Sequence, residues 1–482
     1  MARAKIIATL GPASNQEHII EKMIKAGMNA VRINMSHSSQ SDHAETIKKV
    51  RKTAEKLNKP IAILVDLAGP KIRTGLLENS KPVKLETGKE FILTSRNILG
   101  NQNGVSTNFP ELPKYVKKGA RILLDDGSIE LVVKEVIRED IITEVVNGGL
   151  LDERKGINLP NTKLPIPSLT QKDKSDLQWA MKQDVDYIAL SFVRKGEDCK
   201  EVKDIIKKLN KRKHGRPLLV AKIEKAEAIE NLDQIISQSD GLMVARGDLG
   251  VETNPELVPV YQKRIIEKAV FKDRFVITAT QMLQSMVENP RPTRAEASDV
   301  ANAVWDGTDA VMLSAETATG KYPVESVAMM RKIIEMAETI RVTKLNRLTR
   351  LDDEPTGRTS QALCKAAAIC AREKMTDKVA VFTESGLMAR RLSSVRSWLS
   401  TFALTNSRAV YNQLALIWGV EPLLHRKVST TEEMLKDGER TLLEAQVVEK
   451  GETIVMMAGR LSGLGLSSSV VVWTIGEEIP RR

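Results

Sequence analysis

At 482 residues the chain exceeds one ordinary domain, and two or three are expected. With 42% hydrophobic and 28% charged residues it can build real cores, and no apolar run is long enough to span a membrane, so no membrane partner is expected. The net charge of +11 suits the steering of polyanionic small molecules. Its densest run, Lys207–Arg216, has no interleaved aromatics, so a solvated helix end is expected there and no nucleic-acid surface. The N-terminus, MARAKIIATLGP, lacks the h-region and cleavage site of a signal peptide. Three cysteines form no CxxC pair, and a cytoplasmic location is expected.

In chain order, apolar runs at Ala4–Leu10, Ala30–Met35 and Ile61–Leu67 alternate with helical patterns at Gln16–Ala26 and Ser41–Leu57. Such βα units predict a parallel sheet. The pattern breaks from about Pro70 to Ser168. Short β-rich runs at Lys89–Leu93, Arg121–Leu124, Ile129–Val133 and Ile141–Val146 predict an inserted, all-β domain. Strands then return at Tyr187–Phe192, Leu218–Ile223, Gly241–Ala245, Phe275–Ala279 and Ala310–Leu313. Helical patterns separate them, Ala226–Ser237 among these. Three strands before the insertion and five after it make eight βα units, the count of a TIM barrel; an open doubly wound sheet is the alternative. A polar stretch, Arg347–Gln361, reads as a linker to a separate α/β region. Its strands are expected at Val379–Phe382, Phe402–Leu404, Thr453–Met457 and Val470–Ile475.

A barrel builds its active site at the C-terminal ends of its strands. Here those ends are polar. Strand two alternates Arg32, Asn34 and Ser36 onto one face, with His37 just beyond. Strand three ends in Asp66, followed by Lys71 and Arg73. Strand five ends in Lys222 and Glu224, which share a face. Strand six ends in Gly247 and Asp248, strand seven places Thr278 and Thr280 on one face, and strand eight ends in Ser314 and Glu316. Two carboxylates suit Mg²⁺ or Mn²⁺, and the lysines and arginines suit phosphate and carboxylate groups. No Ser-His-Asp set, Cys-His set or GxxxxGK[ST] loop stands at these ends. Metal-assisted phosphoryl transfer or enolate chemistry follows.

The sequence resembles the pyruvate kinase family over essentially its whole length. The resemblance rests on KIIATLGPAS (Lys5–Ser14), NAVRINMSH (Asn29–His37), GPKIRTG (Gly69–Gly75), KGINLP (Lys155–Pro160), KIE (Lys222–Glu224), ARGDLG (Ala245–Gly250), ATQM (Ala279–Met282), RPTRAEASDVANA (Arg291–Ala303) and LSAET (Leu313–Thr317). It implies a TIM (β/α)8 barrel at 1–69 and 169–345, an inserted small β-barrel lid at 70–168, and a C-terminal α/β domain at 346–482. It implies transfer of a phosphoryl group from phosphoenolpyruvate to ADP, giving pyruvate and ATP. By motif match, Glu224 and Asp248 would hold Mg²⁺ or Mn²⁺. Gly247, Asp248 and Thr280 would bind the substrate carboxylate, and Lys222 and Arg32 the phosphoryl group. Thr280 and Ser314 would line the proton route. Arg73, Lys155, Asn34 and His37 would meet the nucleotide.

Many members hold K⁺ at the positions of Asn34, Ser36, Asp66 and Leu67. Here Leu67 lacks the usual hydroxyl and Lys71 stands in place of a Glu, which predicts activity without K⁺. Thr383-Glu384-Ser385-Gly386 and Gly459–Ser469 resemble the family's effector turn and loop, implying a phosphorylated effector, and a homotetramer is implied by resemblance alone. Two rivals remain: a Mg²⁺-dependent aldolase or lyase of 2-oxo acids, and a catalytically retired regulator.

Overall fold

The computed structural model describes residues 2–160, 162, 164–212, 214–340, 359–428, 430–458 and 469–477. Eight parallel strands close a barrel: β1 (Lys5–Thr9), β2 (Ala30–Asn34), β3 (Ala62–Asp66), β4 (Tyr187–Leu190), β5 (Leu218–Ile223), β6 (Gly241–Ala245), β7 (Phe275–Ala279) and β8 (Ala310–Leu313). β1 pairs with both β2 and β8, so there is no edge strand, and the open-sheet alternative is set aside. The strands are apolar on both faces because both are buried. Ile7, Leu64, Val220 and Ile277 fill the interior, while Ile6, Val31, Ile63 and Leu219 pack outward.

The N-terminal end of the barrel carries a device repeated four times. The residue just before each even-numbered strand accepts a backbone N–H from the odd strand before it. Asn29 accepts from Ile6 at 3.0 Å, Asp186 from Ile63 at 2.8 Å, Asp240 from Leu219 at 2.9 Å and Asp309 from Val276 at 2.9 Å. Each bond satisfies an N–H at the start of a strand that would otherwise be buried unpaired. The three carboxylates are neutralised as well, by Arg51 at 2.6 Å, Arg216 at 3.2 Å and Arg396 at 2.9 Å.

Between β3 and β4 the chain builds the lid. A six-stranded sheet runs in the order Ile157–Asn158, Arg121–Leu124, Ile129–Ile137, Asp140–Asn147, Glu90–Thr94, Gly104–Ser106. A two-stranded ribbon, Val83–Leu85 with Gly149–Leu151, closes over the same core, to which Leu85 and Leu151 contribute beside Phe91, Leu93 and Val145. The short strands were not legible because each has only two or three residues.

The C-terminal sheet has the order Val420–Leu424, Ser400–Thr405, Lys378–Phe382, Thr453–Ala458, Ser469–Thr474, the last strand antiparallel. Sequence reading omits Val420–Leu424. Its Glu421 and Pro422 argue against a strand, but the strand lies at the sheet edge, where a missing N–H is tolerated. The predicted helix Ala226–Ser237 is two helices, Ala226–Glu230 and Leu232–Gln238, parted at Asn231. The linker at 347–361 and the loop at 459–469 fall almost entirely outside the described residues. Among the described residues no helix is long and apolar enough to cross a membrane.

Candidate active site

β5 sets the centre of the C-terminal mouth. Its inward residues Leu218 and Val220 lead to Lys222, which is only 8% exposed. The Lys222 ammonium stands 2.9 Å from Glu224, 3.2 Å from Asp66 and 2.7 Å from the Ser191 hydroxyl. Burial alone would lower its pKa, but the two carboxylates outweigh burial and hold it above the ordinary lysine value. Lys222 is therefore a fixed, desolvated cation.

Asp66 is as deeply buried, yet Lys222 and Arg32 keep its pKa below the usual carboxylate value against the desolvation cost. It grips Nε of Arg32 at 2.7 Å, and Arg32 also reaches the Thr9 hydroxyl at 3.3 Å. Its guanidinium is thus set before any anion arrives.

Glu224 follows the last residue of β5 and is 1% exposed. Its Oε2 accepts the Phe192 N–H at 2.6 Å. Burial and the nearby charge of Asp248 push its pKa up, and Lys222 opposes them. Asp248 lies half-buried on the short helix Arg246–Glu252 that follows β6. Among the described residues no three His, Cys, Asp or Glu side chains gather as a complete metal cage. Two neighbouring carboxylates instead suit a hard divalent cation that takes water and substrate oxygens as its other ligands, and the repulsion of Glu224 by Asp248 is what such a cation would relieve. The residues fit Mg²⁺ or Mn²⁺.

β7 ends in a backbone outlier. Thr280 has φ 71° and Gln281 φ 53°, a left-handed pair in which the β-branched threonine is under strain. Arg246 clamps it, donating to the Thr280 carbonyl at 2.8 Å while its other nitrogen holds Asp299 at 2.7 Å. The turn brings the Thr280 hydroxyl to the Gly247 N–H, 2.7 Å away. It also corrects the expectation that Thr278 and Thr280 share a face by alternation. Thr278 is buried and bonded to Thr308 at 3.0 Å.

Beside β8, the buried Ser314 hydroxyl has no partner among the described residues. Glu316 is structural, accepting the N–H groups of Ser314 at 2.7 Å and Leu283 at 3.0 Å. Asn34 accepts the Ser36 N–H at 3.1 Å, and Ser36 and His37 are exposed. The His37 pKa is lowered by partial burial and by Arg73, Arg32 and Lys71.

The lid cations have partners within the lid. Lys71 lies 3.7 Å from Asp126 and Lys155 3.1 Å from Asp125, both acids being in the lid hairpin. Arg73 donates to the Arg154 carbonyl at 2.9 Å. Leu67 is buried and its carbonyl accepts from Ser191 at 2.7 Å. Ser191 escaped sequence reading, which ran β4 through to Phe192. The strand stops at Leu190 because Phe192 turns to φ 55°. Gly69 fits against it only for want of a side chain: a Cβ there would lie 2.7 Å from the Phe192 ring.

A closed (β/α)8 barrel with this charged mouth and a β lid defines a barrel enzyme that works on small anions with a divalent cation. The chain matches the family model described as pyruvate kinase, barrel domain, over residues 1–327, and that described as pyruvate kinase, alpha/beta domain, over residues 361–472. A pyruvate kinase of Clostridium acetobutylicum is 42% identical over 461 residues, 95% of this chain and 96% of its own. One of Sporosarcina psychrophila is 40% identical over 485 residues, covering 100% of this chain and 82% of its own. A crystal structure of a pyruvate kinase from Cryptosporidium parvum gives a TM-score of 0.90 at 34% identity, covering 98% of this chain and 96% of its own. The chain belongs to the pyruvate kinase family. Its reaction is the Mg²⁺-dependent transfer of the phosphoryl group of phosphoenolpyruvate to ADP, giving pyruvate and ATP. The lyase and retired-regulator readings are set aside accordingly.

Proposed function

We propose that the strand ends divide this reaction among themselves as follows. Glu224 and Asp248 would hold Mg²⁺ or Mn²⁺, which would supply positive charge against the anionic substrate. Arg32, steadied by Asp66, takes phosphoryl oxygens. The N–H groups of Gly247 and Asp248, with the Thr280 hydroxyl, take the substrate carboxylate, which replaces or shares the existing Gly247–Thr280 bond. Lys222 faces the moving phosphoryl group and the oxygen that becomes the enolate. Its charge is already desolvated and held in place, so little reorganisation is left for the moment of transfer. Thr280 and Ser314 line the path by which the enolate carbon gains its proton through water. The Ser314 hydroxyl, which has no partner among the described residues, fits that use.

Arg73 and Lys155 contact the nucleotide phosphates, with Asn34 and His37 beside them. Lys155 gives up Asp125 as it does so. The low pKa of His37 keeps it neutral and able to hydrogen-bond without adding charge. Closing the lid excludes water, which would otherwise compete with ADP for the phosphoryl group.

The observation that carries this reading is the Lys222 ammonium fixed between Asp66 and Glu224. Its test is a coupled assay for pyruvate formed from phosphoenolpyruvate, with and without ADP and Mg²⁺, on the parent protein and on Lys222→Met. ADP-dependent product that disappears in the variant, with Mn²⁺ binding kept, supports the reading. Unchanged turnover in the variant overturns it.

Three finer points belong to the same proposal. The fixed charge of Lys71 substitutes for K⁺ near Asn34, Ser36, Asp66 and Leu67, moving from Asp126 as the lid closes. A phosphorylated effector binds at Thr383-Glu384-Ser385-Gly386, where Thr383 and Glu384 line a small cleft together with His425 and Arg426. The protein works as a cytoplasmic homotetramer.

A further inference from the structure

Two residues adjoining the proposed metal carboxylates have no part in the chemistry above. Lys225 directly follows Glu224. Glu252 lies four positions after Asp248, on the same face of the helix Arg246–Glu252. Their side chains pair at 2.6 Å, and Glu252 is 3% exposed. The same Glu252 oxygen accepts a 2.8 Å hydrogen bond from the side-chain amide of Asn158, which is also buried. A carboxylate can only accept here, so Nδ2 and not Oδ1 must face it.

Asn158 belongs to the lid. It ends the short strand Ile157–Asn158 and lies three residues past Lys155. The lid meets the Asp248 helix a second time, since a Cβ on Gly127 in the lid hairpin would stand 3.9 Å from the Val251 methyl groups. Lys225 also lies 5.7 Å from the centre of the Phe192 ring, and it is the Phe192 N–H that holds Glu224. One ion pair thus joins the segment after one carboxylate to the helix that carries the other, and a lid side chain is seated on that pair.

We propose that Lys225, Glu252 and Asn158 form a positioning latch that couples seating of the lid to the spacing of Glu224 and Asp248, and so couples nucleotide binding to metal affinity. The inference rests on Glu224 and Asp248 being the metal ligands. Coupling of this kind is reciprocal: nucleotide contacts that seat the lid tighten the metal site, and a filled metal site favours the seated lid. A pair serving only to stabilise the helix would need neither burial nor a partner from the lid.

The test uses the full-length protein and Mn²⁺ as the probe, with free Mn²⁺ followed by electron paramagnetic resonance in the absence of nucleotide. Glu224→Gln should abolish Mn²⁺ binding. Glu252→Gln and Lys225→Met should each weaken it by about tenfold, the scale seen for residues that orient metal ligands. Asn158→Ala should weaken Mn²⁺ binding and raise KM for ADP by a similar factor, about fivefold, with KM for phosphoenolpyruvate unchanged at saturating Mg²⁺. Combined with Glu252→Gln, it should add nothing further. If Glu252→Gln fails to fold, Lys225→Met carries the same test, because its side chain is already 21% exposed. Loss of Mn²⁺ binding in Glu224→Gln with parental affinity in the folded latch variants would overturn the latch alone, and so would additive effects of Asn158→Ala and Glu252→Gln. Retained Mn²⁺ binding in Glu224→Gln would overturn the ligand assignment and the latch together.

Discussion

The two ends of the barrel bury charge in opposite ways. At the N-terminal end each carboxylate is spent on the fold. Asp309, for example, accepts the N–H groups of Val276 at 2.9 Å and Trp418 at 3.3 Å and pairs with Arg396 at 2.9 Å. At the C-terminal end the charges answer one another. Arg32, Asp66, Lys222 and Glu224 form one connected group, Asp248 repels Glu224 from nearby, and the Ser314 hydroxyl has nothing to bind among the described residues. Burial raises the pKa of Asp186, Asp309 and Glu224 alike. A perturbed carboxyl group therefore does not by itself mark a site. What separates the two ends is that each N-terminal carboxylate caps a strand N–H and has its own arginine, whereas the charges at the C-terminal end share partners with one another.

Five measurements would break or sharpen that contrast. Lys222→Met, at the working end, should cost at least about 10³-fold in kcat, the scale of losing a preorganised charge, with the cooperative thermal transition retained. Asp309→Ala, at the structural end, should cost about 3–5 kcal/mol of stability by stranding Arg396, with KM for phosphoenolpyruvate unchanged below the melting range. A fall in catalysis as large as that of Lys222→Met would erase the distinction between the ends.

Lys5 tests the same end through pH. Burial lowers its pKa to about 8 from 10.5, while its ammonium donates to the Val420 carbonyl at 2.8 Å. Between these values the unfolded chain holds the proton and the folded one does not, so wild-type stability rises with pH through that window. The stability of Lys5→Met relative to wild type should fall by up to about 3 kcal/mol between pH 8 and 10.5 and stay level below pH 8. Parallel denaturation curves at both ends of the window would show that Lys5 is not desolvated.

Arg246→Lys should release the Thr280 carbonyl and lower kcat/KM for phosphoenolpyruvate by about tenfold, because lysine lacks the second arm that holds Asp299. The smallest effect is expected from salt. Exchange of K⁺ for Na⁺ or a bulky ammonium ion at constant ionic strength should change kcat/KM by no more than about twofold, and a large K⁺-specific activation would remove Lys71 from the cation's place.

Much of the working end was legible because β-strand alternation is strict. Arg32 and Asn34, and likewise Lys222 and Glu224, could be placed on shared faces from their spacing alone, and Asp66 at the end of its strand. Where the backbone leaves the strand, that logic stops. Thr280 sits past a left-handed turn, so its relation to Thr278 could not be read by counting. Ser191 was hidden at the end of an apolar run whose last residue turns away. The four residues that tie the N-terminal end were passed over for another reason. An Asn or Asp before a strand is equally what a turn requires, and only the closed ring shows that each caps the neighbouring strand.

Those four ties also bear on the order of assembly. Three of them close segments of 23, 21 and 33 residues, but the bond from Ile63 to Asp186 spans 123, because the lid is inserted between β3 and β4. Loop-closure entropy grows slowly with length, so the penalty over the others is only about 1 kcal/mol for a flexible loop. It becomes smaller still once the lid has folded and brought its own ends together. Of the four ties, the one joining β3 to β4 is thus expected to close last, with the lid acting as its splint.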